Sequence, residues 1–279
     1  MFKANYHTHC NFCDGRDEAE EYVKAAIKEK MTELGFSSHS PLPFSTTYAV
    51  KIEKFSNYIR RIKTLQDKYR KEIKIYLGLE VDYLPSIKTF QDSLDFRTFL
   101  DYTIGSVHYV KQLSSGYPWP VDSDDELFQR GINEIFKGNI QEVVENYYSL
   151  VREMVQKETY DIIGHLDLIK KNNAGKKYFS EEENWYKNAI KETLSVIEKK
   201  SPLLEVNTSG IRKPAGVIYP SPWILRQCKE LNIRLMVNSD AHIPEELTFH
   251  FSEVYSLLRE IGYAEVYHLT DRGWEGVKI

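Results

Sequence analysis

Histidine recurs in this sequence at positions suited to holding metal. Tyr6-His7-Thr8-His9, Ser38-His39, Ser106-Val107-His108, Gly164-His165 and Asn238-Ser239-Asp240-Ala241-His242 contain six of the eight histidines in the chain. Each follows a short apolar run, as do Gly78-Leu79-Glu80 and Val206-Asn207. Residues two apart on a strand project to one face, so His7 should point with His9, and Asp240 with His242. Paired imidazoles facing a carboxylate suit a borderline divalent ion such as zinc, manganese or iron. A lone histidine at a strand end is ordinarily a hydrogen-bonded core or rim residue. Six of them at equivalent ends carry polar nitrogens that packing alone does not satisfy. Glu80, closing the run Ile75-Tyr76-Leu77-Gly78-Leu79, would be costly to bury unless cations flank it, and two metals would satisfy both its oxygens. Asp14, in Phe12-Cys13-Asp14-Gly15, reads either as a ligand or as an ordinary Asp-Gly turn.

The elements that must position these groups follow from hydrophobic pattern. Apolar runs of three to eight residues at 2–6, 34–37, 73–79, 102–107, 161–163, 203–206 and 233–237 suit strands buried on both faces. Amphipathic, charge-rich stretches at 18–34, 52–70 and 181–200 read as helices between them. Ser180 with Glu183, and Ser123 with Glu126, read as capping boxes. Pro222 and Pro244 suit first-turn positions. Seven strands alternating with helices give a parallel sheet, either closed into a barrel or open and doubly wound. Carboxyl ends of parallel strands face the ligand site in both architectures, and that is where the histidines lie. Residues 111–160 exceed a simple crossover and read as a helical insertion after the fourth strand.

Composition removes several classes. The 279 residues carry 37 basic and 41 acidic side chains, a formal net charge of −4. That balance disfavours a dedicated nucleic-acid binder. No stretch approaches the roughly 18 apolar residues of a membrane span, and the start, MFKANYHTHC, lacks an apolar h-region. Three cysteines cannot form a disulfide framework. The expectation is a cytoplasmic enzyme acting on a small molecule. Cys10 and Cys13 form a C-x-x-C without the second pair of a zinc knuckle, and the flanking His7 and His9 favour a loop lining the metal site. Cys228 reads as helix core. Arg212, after the sixth strand, reads either as a bidentate phosphate clamp or as a surface salt-bridging residue. His250 and His268 read as ordinary residues.

Taken in order, H-x-H, a lone His after the second strand, G-L-E, G-S-V-H, G-H-x-D and N-S-D-A-H resemble the polymerase-and-histidinol-phosphatase (PHP) superfamily from Tyr6 to His242. The resemblance implies residues 1–279 as one domain, a distorted (β/α)7 TIM-like barrel with three divalent metals. Its ligands, carried over motif by motif, would be His7, His9, Asp14, His39, Glu80, His108, His165, Asp240 and His242, with Asp167 orienting His165. The implied activity is hydrolysis of a small phosphate monoester, foremost L-histidinol phosphate, by hydroxide between metals. Asp14, His39 and Glu80 would serve the chemistry and Arg212 the substrate, with the leaving-group proton coming from Asp14, His39 or water. Other phosphoesterases of the superfamily, acting on phosphotyrosine or nucleotides, would share the ligands. Amidohydrolase-like barrels often carry a carboxylated lysine where Glu80 stands here, which disfavours that chemistry.

Overall fold

The computed structural model describes residues 3–85 and 96–279; Phe2, where the first predicted run begins, lies outside them. The chain forms β1 (Ala4–Asn5), β2 (Glu33–Phe36), β3 (Lys74–Asp82) and β4 (Tyr102–Ser106), then a hairpin of β5 (Tyr109–Gln112) and β6 (Pro118–Pro120). β7 (Ile162–Ile163), β8 (Leu203–Asn207) and β9 (Leu235–Asn238) follow. All seven predicted runs join one sheet in the order β1-β2-β3-β4-β7-β8-β9, every neighbouring pair parallel.

The sheet is a nearly closed barrel. At the carboxyl ends, Thr8 pairs with Ala241, the His9 N–H donates to the Ala241 carbonyl at 2.9 Å, and the Ala241 N–H donates to the His7 carbonyl at 3.0 Å. Lower in the seam side chains replace the ladder. The Tyr6 N–H donates to Asn238 Oδ1 at 2.8 Å and Asn5 Nδ2 donates to Ser239 Oγ at 2.7 Å. These substitutes satisfy backbone groups that short edge strands would otherwise leave unpaired.

Helices α1 (Ala19–Lys28), α2 (Phe55–Tyr69), α3 (Asp125–Phe136), α4 (Ile140–Lys157), α5 (Asn184–Lys200), α6 (Pro222–Glu230) and α7 (Phe251–Ile261) surround the sheet. α2 buries Phe55, Tyr58, Ile62, Leu65 and Tyr69, one stripe at helical spacing. Its Tyr58 hydroxyl donates to the Gly78 carbonyl at 2.8 Å, fixing the helix against β3. A terminal hairpin, β10 (Glu265–Thr270) with β11 (Gly273–Lys278), covers the amino end of the barrel. Its Leu269 and Trp274 pack on Tyr6, Tyr76, Tyr102, Ile162 and Met236. The Tyr102 ring lies flat enough on β3 that a Cβ at Gly78 would fall 2.4 Å from it, so only glycine fits there. The amino end is thereby filled, and the carboxyl end is left for chemistry.

Several local expectations shift. The insertion opens with the β5–β6 hairpin before its two helices, because Pro118, Trp119 and Pro120 favour extended backbone. α3 is capped by Asp124, which accepts from the Leu127 N–H at 2.9 Å, one residue later than the Ser123 box. Ser180 makes a turn, accepting from the Glu182 N–H at 3.2 Å, and α5 starts only at Asn184. Pro222 does open α6, whereas Pro244 opens a short 3-10 turn and α7 begins at Phe251. Among the described residues no helix is long and apolar enough to cross a membrane.

Candidate metal centre

Each strand delivers its polar residue to the open end of the barrel. His7 and His9 flank the Thr8 bridge that closes the sheet. His39 sits beside Glu80 in a parallel bridge just past β2, anchored by the Ser40 N–H donating to the Glu80 carbonyl at 2.8 Å. His108 and His165 follow β4 and β7. Asp240 and His242 come from beyond β9, which ends at Asn238. Strand alternation therefore does not aim them; Asp240 adopts a left-handed φ of 51°, and that turn brings both side chains inward.

Glu80 is the centre. His39 Nδ1, His7 Nε2 and His9 Nε2 face its Oε2 at 3.0, 3.2 and 3.5 Å. His165 Nε2 and His108 Nε2 face its Oε1 at 3.0 and 3.5 Å. Two sets of imidazoles thus face separate oxygens, a donor set that could hold a cation on each side of the carboxylate. Asp240 Oδ1 lies 3.3 Å from His9 Nε2 and 3.7 Å from His7 Nε2. Asp14, a third exposed, lies 3.3 Å from His242 Nε2 and 3.8 Å from His39 Nε2.

Overlapping groups of three or four potential ligands arise here: His9, Asp14, His39 and His242; His7, His9 and Asp240; His7, Glu80 and His165; His39, Glu80 and His108. Together they contain the nine residues expected from the sequence. His7 Nε2, His9 Nε2 and His39 Nδ1 are buried without a hydrogen-bond partner. One carboxylate oxygen cannot satisfy all three, so the donor set fits divalent cations.

The electrostatics agree. Burial, with His242 and His39 on either side, pushes His9 down to about 4; its ring centroid is 4.3 Å from that of His242 and 4.4 Å from that of His39. Burial opposes charge on His39 too, but Glu80 and Asp14 override it and raise the imidazole to about 9. Asp82 and Glu80 likewise outweigh burial and raise His108 to about 10. Glu80 and Asp240 are held well below the usual carboxylate range, since facing imidazoles overcome their burial. Buried carboxylates and imidazoles crowd one another here, and metals can replace the protons between them.

Two supporting carboxylates carry no motif of their own in the sequence. Glu205 Oε1 lies 2.7 Å from His7 Nδ1, and Asp82 Oδ1 lies 2.5 Å from His108 Nδ1. Each fixes a ring so that Nε2 faces Glu80, the carboxylate–histidine arrangement of metal ligands. A glutamate inside Leu203-Leu204-Glu205-Val206 and a carboxylate two residues past Glu80 were the available clues. Ser106 Oγ donates to Glu80 Oε1 at 2.7 Å, and a Cβ at Gly164 would come within 2.5 Å of that hydroxyl.

Asp167 does not orient His165. It forms an ion pair with Lys170 Nζ at 2.6 Å and accepts from the Ser221 N–H at 3.0 Å, while the His165 N–H goes to Glu205 at 2.8 Å. A strand of two residues ends too early for Asp167 to stay beside His165. Arg212 keeps its Nη1 buried and unpartnered while its other nitrogens anchor a turn. Its Nη2 donates to the Ser239 and Asp240 carbonyls at 3.2 and 3.1 Å, and its Nε pairs with Glu246 at 3.2 Å. It holds the turn that carries Asp240. Lys171 and Lys213 line the cavity of about 380 Å³ above the cluster. Cys13 Sγ lies 3.5 Å from His9 Nδ1 in the loop after β1, and Cys228 is buried in α6. His250 pairs with Glu253, and His268 with Glu33 at the covered end of the barrel.

A parallel α/β barrel with a cluster of histidines and carboxylates fit for divalent metal at its carboxyl end defines a metal-binding barrel of the hydrolytic kind. The chain belongs to the PHP domain family, whose model matches residues 5–209. The histidinol-phosphatase of Bacillus subtilis is 32% identical over 87% of this chain and 94% of its own length. A solved structure from Listeria monocytogenes superposes with a TM-score of 0.80 at 23% identity, covering 90% of this chain and 99% of that one. The histidinol phosphate phosphatase of Lactococcus lactis, solved with zinc, L-histidinol and phosphate, superposes with a TM-score of 0.72 at 21% identity, over 98% of each chain. Asp240 and His242 lie beyond the residues matched by the family model, on the turn after β9.

Proposed function

We propose that this protein hydrolyses L-histidinol phosphate to L-histidinol and phosphate, with three divalent ions, zinc, manganese or iron, held by His7, His9, Asp14, His39, Glu80, His108, His165, Asp240 and His242. The observation that carries the reading is the convergence of five imidazoles on the two oxygens of Glu80. The substrate is supported by the name of the Bacillus relative and by the ligands of the Lactococcus structure.

Divalent ions bound there supply an activated water and neutralise phosphoryl oxygens. The residues of the chain do the rest. Glu80 spaces the two imidazole sets, while Glu205 and Asp82 hold His7 and His108 in the required tautomers. Asp14 and His39, 3.8 Å apart and both on the cavity wall, would face the leaving group, and as ligands they would leave the alkoxide to draw its proton from water beside them. Lys171 and Lys213 offer positive charge to the phosphate from the same cavity.

The test pairs elemental analysis of purified protein with phosphate release from histidinol phosphate, phosphotyrosine peptides and nucleotides. Two or more metals per chain and a preference for histidinol phosphate of at least about tenfold, roughly 1.4 kcal/mol in the barrier, support the reading. Fewer metals, or a preference for another phosphate ester, overturns it.

A further inference from the structure

The cavity above the metal cluster has one carboxylate that the nine ligands do not include. Asp14, Glu80 and Asp240 belong to the cluster; Asp122 stands apart, on the segment that leaves β6. That segment is tied to the site, because the Val121 N–H donates to the His108 carbonyl at 2.8 Å. Lys171 Nζ binds the backbone carbonyl of Asp122 and not its carboxylate. Among the described residues no hydrogen bond or ion pair engages the Asp122 carboxylate, although its field reaches Lys171, Tyr48, Tyr109 and His108.

The wall beside it is aromatic and fixed. Tyr48 and Tyr109 share a hydroxyl–hydroxyl hydrogen bond of 2.6 Å. Tyr48 packs edge-on against His39 at 4.8 Å between centroids, and Phe44 bridges Tyr109 and Tyr117 at 5.4 and 6.0 Å. A carboxylate without a hydrogen bond or ion pair, on a cavity wall shared with two phenols, forms a receptor for a cation by charge. The cationic side chains of the cavity, Lys171 and Lys213, cannot recognise a substrate ammonium; Asp122 can.

We propose that Asp122, backed by Tyr48 and Tyr109, receives the primary ammonium of the substrate and sets selectivity for amino-alcohol phosphates. The assignment rests on the hydrolysis of histidinol phosphate proposed above. The carbon bearing the ammonium lies one methylene from the ester oxygen, so an ester held at the cluster carries its ammonium into the adjoining cavity. The imidazole then extends toward the outer part of that cavity, near the exposed Tyr117.

The experiment compares wild-type and Asp122→Asn proteins, both metal-loaded, on histidinol phosphate and on 3-(imidazol-4-yl)propyl phosphate, which lacks only the amine. The wild type should prefer the amine substrate by at least about tenfold, and Asp122→Asn should abolish that preference, chiefly through KM. Asp122→Glu, which keeps the charge, should recover part of it. An unchanged preference in Asp122→Asn, or equal losses on both substrates, overturns the assignment. A wild type that leaves histidinol phosphate intact overturns the parent reading, and the role of Asp122 with it. A wild type that cleaves both esters equally overturns the role of Asp122 alone.

Discussion

Glu205 Oε1 lies 2.7 Å from His7 Nδ1, and the same carboxylate accepts from the His165 N–H, Asn207 Nδ2 and Asn238 Nδ2. One buried side chain on β8 thereby orients a candidate ligand on β1, the backbone of another after β7, and the asparagine of β9 that helps close the barrel. Replacement by glutamine would put an NH2 group among donors. Glu205→Gln should weaken metal binding about 10- to 100-fold and lower stability by about 1–3 kcal/mol. Competition with a chromophoric chelator and urea unfolding would read the two effects; unchanged metal affinity would remove Glu205 from the centre.

Glu80 has a sterner expectation. With its charge gone, five imidazoles lose the carboxylate they share. Glu80→Gln should bind fewer metals per chain and lose about 10³-fold in kcat/KM, equivalent to several kcal/mol of lost charge stabilisation. Plasma emission analysis beside the kinetics would check this, and full metal content with activity within about tenfold of wild type would exclude a bridging role.

Metal uptake should release protons. His39, raised to about 9, and His108, raised to about 10, carry protons at pH 7.5 in the metal-free protein. Metal must displace them, so affinity should climb as pH rises from about 6.5 toward 9–10. The sign for the metal-free fold is opposite. A raised imidazole pKa contributes stability that is fully present below about 6.5 and lost as pH rises through 9–10. Despite burial, Glu205, Glu80 and Asp240 also hold His7 well above the usual imidazole range, so zinc titration calorimetry at pH 7.5 in two buffers of different ionisation enthalpy should report at least about two protons released. Buffer-independent heats would contradict the protonated imidazoles.

Gly78 tests the packing beneath the site. A methyl there would meet the Tyr102 ring at 2.4 Å. Gly78→Ala should cost about 1–3 kcal/mol through overpacking, and Tyr102→Leu in the same chain should recover much of it. Urea midpoints of the single and double variants decide the matter; additive losses would show that the two positions do not conflict.

The periodicity of this chain determined seven parallel strands and the face on which its chemistry would stand. Short β-branched and aromatic runs can only be buried as strands, and parallel strands expose their carboxyl ends together. Histidines at those ends were legible as a set because nothing else in an apolar barrel calls for imidazole. The supporting groups were less so. Glu205 and Asp82 reach partners 198 and 26 residues away, and no local pattern encodes a contact across a barrel. The same limit explains Asp167: adjacency to a motif suggested a role, but strand length and loop path sent it to Lys170. Asp240 is the mixed case. Its identity as a carboxylate beside His242 stood in the sequence, whereas its approach to His7 and His9 depends on a left-handed turn held by Arg212. Residue type was a local property, and it chose the ligands. Distance and direction were properties of the closed sheet, and only its closure decided which carboxylate faces which ring.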